Sequence, residues 1–108
     1  MTYNVRLTQN AKLDLNDIFV YLCELTKDPQ IALKFNRDLK NGISELAEMP
    51  RIHPIINCDP FAFVGLRIKH IGNYNIFYRI IESEKSIHII RILHQRREWK
   101  TILKNEII

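Results

Sequence analysis

The sequence predicts an α+β fold. It reads as an N-terminal strand, an antiparallel helix hairpin packed on one face of a mainly antiparallel sheet that ends in a three-stranded meander, and a short C-terminal helix. Three observations predict it. Apolar residues recur at helical spacing from Ala11 to Ala47. Three runs rich in Ile, Phe and Tyr follow, separated by short polar breaks. The 108 residues are 46% hydrophobic and 26% charged, which suits one globular domain over 1–108 and excludes a disordered chain.

Tyr3, Val5 and Leu7 alternate with Asn4 and Arg6, as in a short half-buried strand. Thr8 then offers a helix N-cap, because its hydroxyl can accept an otherwise unpaired backbone N–H. The first helix carries a stripe of Ala11, Leu15, Ile18, Phe19, Leu22 and Leu25 and ends near Thr26–Lys27. The second opens with Asp28 as cap and Pro29 in the first turn, where a missing N–H does no harm. Its stripe is Ala32, Phe35, Leu39, Ile43, Leu46 and Ala47, and Pro50 stops it. The short link between them predicts a hairpin. Leu13, Val20 and Tyr21 lie off the main stripe of the first helix. That helix therefore needs a second surface to bury against, either the sheet beneath it or another protein chain.

Pro50 to Val64 contains three prolines and no clear period, which reads as a long loop. The strand-like runs are Leu66–Ile71, Tyr74–Glu82 and Ser86–His94, with Gly72-Asn73 and Ser83-Glu84 as tight turns. Glu98 to Leu103 can add a short final helix.

Charge is unevenly placed. Up to Gly65 there are 7 Lys/Arg against 8 Asp/Glu; from Leu66 onward there are 9 against 4, a balance of +5. The field that would attract phosphate or an acidic partner is therefore C-terminal. Cys23 and Cys58 show no metal-ligand spacing and read as free thiols of a reducing compartment. The segment from Met1 to Leu7 lacks a signal-peptide core, and no run of 18 apolar residues occurs. A cytoplasmic protein with no membrane partner is expected. No phosphate-cradling loop, nucleophile elbow or zinc pattern is present, so no metal and no cofactor is expected.

Side chains repeat every second residue along a strand, so Arg67 and Lys69 share a face. Arg79 and Arg91 sit inside the next two strands, where an unpaired charge would be costly to bury. His94, Arg96, Arg97 and Trp99 follow the last strand. Guanidiniums hold phosphate or carboxylate oxygens, and an aromatic stacks on a base or fills a socket. Glu98 could instead pair with Arg96 or Arg97, and Trp99 could pin the C-terminal helix to the sheet. His53 stands alone and reads as incidental, and the carboxylates form no clustered pair.

The order of elements, with "VRLTQNAKLDLNDIFVYL", "YNIFYRI" and "IIRILHQRREW", resembles the RelE/ParE superfamily of bacterial type II toxins over Tyr3 to Leu103. The resemblance implies a small cytosolic toxin wrapped by a cognate antitoxin, here expected over Leu13, Val20 and Tyr21. It implies contact with operator DNA only through that antitoxin. RelE-like members cut mRNA in the ribosome, whereas ParE-like members poison DNA gyrase without cutting RNA. Arg67, Lys69 and Arg96 match basic positions of the RelE-like nucleases. Asn75 stands where an arginine is often found, and no tyrosine follows Tyr78. As a nuclease the chain would depend on His94 (or His70) to move a proton and on Arg67, Lys69 and Arg96 to stabilise charge. The ending resembles the ParE-like branch, so gyrase is the leading target. Ribosome-dependent endoribonuclease and inactive basic interaction domain are the alternatives. The toxin reading expects Arg67, Lys69, Arg91 or Arg79, Arg96 and Trp99 to converge on one water-facing patch.

Overall fold

The computed structural model describes residues 2–107. β1 (Asn4–Leu7), α1 (Gln9–Thr26), α2 (Pro29–Glu48), β2 (Arg67–Ile71), β3 (Tyr74–Ile81), β4 (Ser86–His94) and α3 (Trp99–Ile107) follow in order. The sheet order is β1-β4-β3-β2. β1 pairs parallel to β4, and the two meander contacts are antiparallel.

The helix ends are built as their sequences dictate. Thr8 accepts the Ala11 N–H at 3.1 Å, and Asp28 accepts the Gln30 N–H at 2.9 Å. Lys27, in the left-handed region at φ 58°, closes α1. Between β3 and β4 the expected two-residue turn is a 3₁₀ turn, Glu82–Glu84, closed by Lys85 at φ 49°. That shortens β3 by one residue, while α3 runs four residues beyond the expected end.

The hairpin buries Ala11, Ile18, Leu39 and Leu46 against Tyr74, Ile76, Tyr78, Ile87, Ile89 and Ile92. Gly42 allows α2 to approach β2 closely; a Cβ there would collide with the Ile71 side chain. Leu25, expected in the core stripe, is 64% exposed because it lies in the last turn of α1.

The opposite face of the sheet is not open. Phe61, Leu66, Phe77, Ile90, Leu93 and Leu103 form a second core, joined by Ile56, Val64, Trp99 and Ile102. The loop and α3 cover that face. A β-bulge at Ile90 makes this possible, because Phe77 pairs with Arg91 while Tyr78 pairs with Ile89. The extra residue resets the alternation, so Ile89 and Ile92 face the hairpin while Ile90 and Leu93 face the second core.

Candidate functional site

β1 leaves β4 after the Leu7–Ile89 pair, so the end of β4 is a bare edge. Thr8 takes over first; its N–H donates to Ile89 O and its hydroxyl to Ile90 O. Asp14, one and a half turns into α1, then accepts the Ile92 N–H at 3.0 Å. Arg91 donates to the same carboxylate through Nε and Nη2 at 2.6 and 2.7 Å, and through Nη1 to Glu106 of α3 at 3.1 Å. The paired Asp14 carboxylate holds the guanidinium pKa above its ordinary value. Asp14 is only 8% exposed. The expectation of scattered carboxylates thus fails here, because α1 and α3 bring Asp14 and Glu106 together around one arginine. The available signal was a charge set inside the Ala11–Ile18 stripe.

Beyond this lock a cleft of about 460 Å³ opens, lined by Asp14, Asp17, Ile18 and Tyr21 of α1 and by Tyr74, Ile92, His94, Arg96 and Arg97. Tyr74 packs on Phe35 at 4.9 Å and meets the His94 ring edge-on at 5.2 Å. The Arg96 N–H donates to His94 Nδ1 at 3.1 Å. Both arginines are exposed, and neither guanidinium has an ion-pair or hydrogen-bond partner among the described residues.

The remaining predicted residues are dispersed. Arg67 and Lys69 do share a face, but it is the hairpin face. Lys69 is 8% exposed and donates to Glu45 at 3.2 Å. Arg67 donates to the carbonyls of His53 and Arg51 at 2.6 and 3.4 Å. Arg79 reaches the loop, donating to Val64 O at 3.0 Å. Trp99 packs against Phe61 and Phe77 in the second core, at 5.4 and 5.3 Å. One shared water-facing patch is therefore not formed. The fold uses Lys69, Arg79, Arg91 and Trp99 internally, and Arg96, Arg97 and His94 are what it leaves around the cleft. Leu13, Val20 and Tyr21 are exposed on α1, and Tyr21 also walls the cleft.

His53 is half-buried beside Lys69. Its Nε2 lies 3.4 Å from Lys69 Nζ. Burial, then the Lys69 charge, pushes its pKa below the usual range. Only the fold of the loop onto β2 brings the two together, so no local pattern could have announced it. Asn75, in place of an arginine, is buried and hydrogen-bonded to His70. Among the described residues no three His, Cys, Asp or Glu side chains group as metal ligands, and no helix is long and apolar enough to cross a membrane.

A four-stranded sheet of this order, backed by an N-terminal helix hairpin, is the RelE/ParE build. Solved structures with this fold include the chromosomal ParDE system of P. aeruginosa, at TM-score 0.69 and 22% identity over 86% of this chain and 96% of that one. The RelBE2 toxin–antitoxin complex of Mycobacterium tuberculosis gives 0.62 and 22% over 87% and 99%. A mutant E. coli RelE in the free state gives 0.64 and 15% over 98% and 94%. At these identities the likeness is one of fold. No curated protein matches the chain. The model of the ParE toxin of the type II toxin–antitoxin system parDE matches residues 5–99, and the chain belongs to that family.

Proposed function

We propose that this toxin arrests growth by binding DNA gyrase through its basic corner, making and breaking no bond of its own. The observation that carries the reading is the occupied Nδ1 of His94. RNA cleavage at its own 2′-OH needs a base, an acid and a group that stabilises the charged phosphate. His94 is the imidazole of the cleft, and its Nδ1 accepts a backbone N–H. Lys69 and Arg67, the cations that would meet the phosphate, are engaged by Glu45 and by loop carbonyls. What faces solvent is Arg96 and Arg97 beside Tyr21, a set suited to recognition. Purified toxin should inhibit supercoiling or accumulate cleaved DNA–gyrase complexes. Unaffected gyrase at micromolar toxin would remove the idea.

One observation favours a second reading, ribosome-dependent mRNA cleavage: His94, Arg96 and Arg97 do share a cleft. The two readings part at His94→Gln. A gyrase binder keeps its growth arrest; a nuclease loses it, and with it the cuts within codons seen when mRNA 5′ ends are mapped.

The same reading includes a cognate antitoxin laid along exposed Leu13, Val20 and Tyr21 and across the basic corner. Structures of this fold solved as toxin–antitoxin complexes support an antitoxin partner. A flexible acidic segment would suit two unpaired guanidiniums. Antitoxin affinity unchanged by Leu13→Asp and Val20→Asp would take α1 out of that interface.

A further inference from the structure

α1 presents three faces along its length. Ala11, Asp14 and Ile18 meet the sheet. Lys12, Leu15, Asn16 and Phe19 line a groove of about 800 Å³ shared with α2. The third face is a crest. At about 100° per residue, Leu13 and Val20 fall on one line and Asp17 and Glu24 on the next. Leu13 and Val20 are 51% and 45% exposed.

Groove and crest are opposite in charge. The groove floor is apolar, through Leu15, Phe19, Leu33 and Ile43, and its rim carries Lys12, Arg37 and Lys40 without a carboxylate. None of those three cations, and neither Asp17 nor Glu24, has an ion-pair partner among the described residues. An apolar crest bearing two carboxylates and an apolar groove bearing three cations therefore lie side by side on one molecule.

We propose that the crest of one copy seats in the groove of a second, so that free toxin forms a two-fold dimer. A two-fold axis lets each copy supply both surfaces, as an isologous interface requires. A second copy is the occupant the molecule itself specifies, since it holds both the apolar residues and the charges of the complement. The dimer covers Leu13 and Val20, so an antitoxin bound along α1 would exclude it. Self-association then belongs to toxin released from its antitoxin. None of this depends on the identity of the target.

Sedimentation equilibrium of antitoxin-free toxin, up to about 100 µM, tests the idea. A dimer is expected, weakened by salt. Val20→Glu and Lys40→Glu should each weaken association at least tenfold, with circular dichroism confirming the fold. Combining Lys40→Glu with Asp17→Lys should restore association, which a merely damaged monomer could not do. A monomer throughout the range overturns the proposal, as does a dimer indifferent to both single substitutions. It is equally overturned if Lys40→Glu weakens antitoxin binding while self-association is unchanged; the groove would then be the antitoxin's.

Discussion

Arg91 and Arg96 come from one short stretch of chain, at and just past the end of β4, and the fold treats them oppositely. Arg91 lies where β1 has left the sheet edge, and it is held there by Asp14 and Glu106. Arg96 lies beyond the strand, where the tail turns back on itself, and only its backbone is engaged. The same division separates Lys69, paired with Glu45, from Arg97 in solvent. A balance of +5 therefore overstates what a partner can use. The usable charge is what remains after the fold has neutralised its own edges.

The strongest way to break that contrast is to remove Arg91. Arg91→Ala leaves the Asp14 carboxylate buried with only the Ile92 N–H, and truncating one member of a buried pair costs about 3 kcal/mol or more. For a chain of this size that lowers the melting temperature by on the order of 10 °C. Asp14→Ala should do similar damage, and the double substitution less than the sum. If Arg91→Ala melts like the parent yet no longer arrests growth, Arg91 is a contact residue and the division is wrong.

Arg96 and Arg97 test the other side. Replacing both with Ala should leave stability within about 0.5 kcal/mol, as for surface positions with no partner. Gyrase affinity should fall at least tenfold, which is about 1.4 kcal/mol. An equal loss in melting temperature would show that the basic corner is structural after all.

Much of the fold was legible because its signals are local. The caps at Thr8 and Asp28, the stripe of α2 and the Gly72-Asn73 turn each follow from a few adjacent residues. The second core was legible only at Trp99, the aromatic that could pin the C-terminal helix to the sheet. Phe61 and Val64 belong to a segment without a period, and the face they cover shows itself only once the bulge at Ile90 has redirected β4. The site followed the same rule. Arg96 and Arg97 were visible as cations with no strand to hide in. The roles of Asp14, Glu106 and His53 depend on partners distant in sequence. Leu13, Val20 and Tyr21 were marked by lying off the core stripe, and they are exposed.

Tyr78 gives an interior effect of intermediate size. Its hydroxyl is buried and donates to Pro50 O at 2.8 Å, fixing the point where the loop leaves α2. Burial pushes its pKa up to about 12. Tyr78→Phe removes that donor and should cost about 1 kcal/mol in chemical denaturation, with growth arrest intact. A larger loss of arrest than of stability would mean that the loop also touches the target.

The smallest effect is a pH dependence at His53, and it probes the interior charge of Lys69 directly. Lys69 and Glu45 face this imidazole from β2 and α2, with His70 also near, and the net result, led by burial, is a pKa below the ordinary value. A histidine harder to protonate in the folded state is protonated first in the unfolded chain, whose pKa is about 6.5. Stability is then unaffected by His53 well above that pH and falls as pH drops through it, because the unfolded state takes up more protons. His53→Gln should flatten this part of the stability profile between about pH 7 and pH 5. Lys69→Met, which removes the neighbouring charge but leaves the burial, should flatten it only in part. If parent and His53→Gln lose stability with the same slope, the acid sensitivity belongs to another group and Lys69 exerts no measurable field on its neighbour.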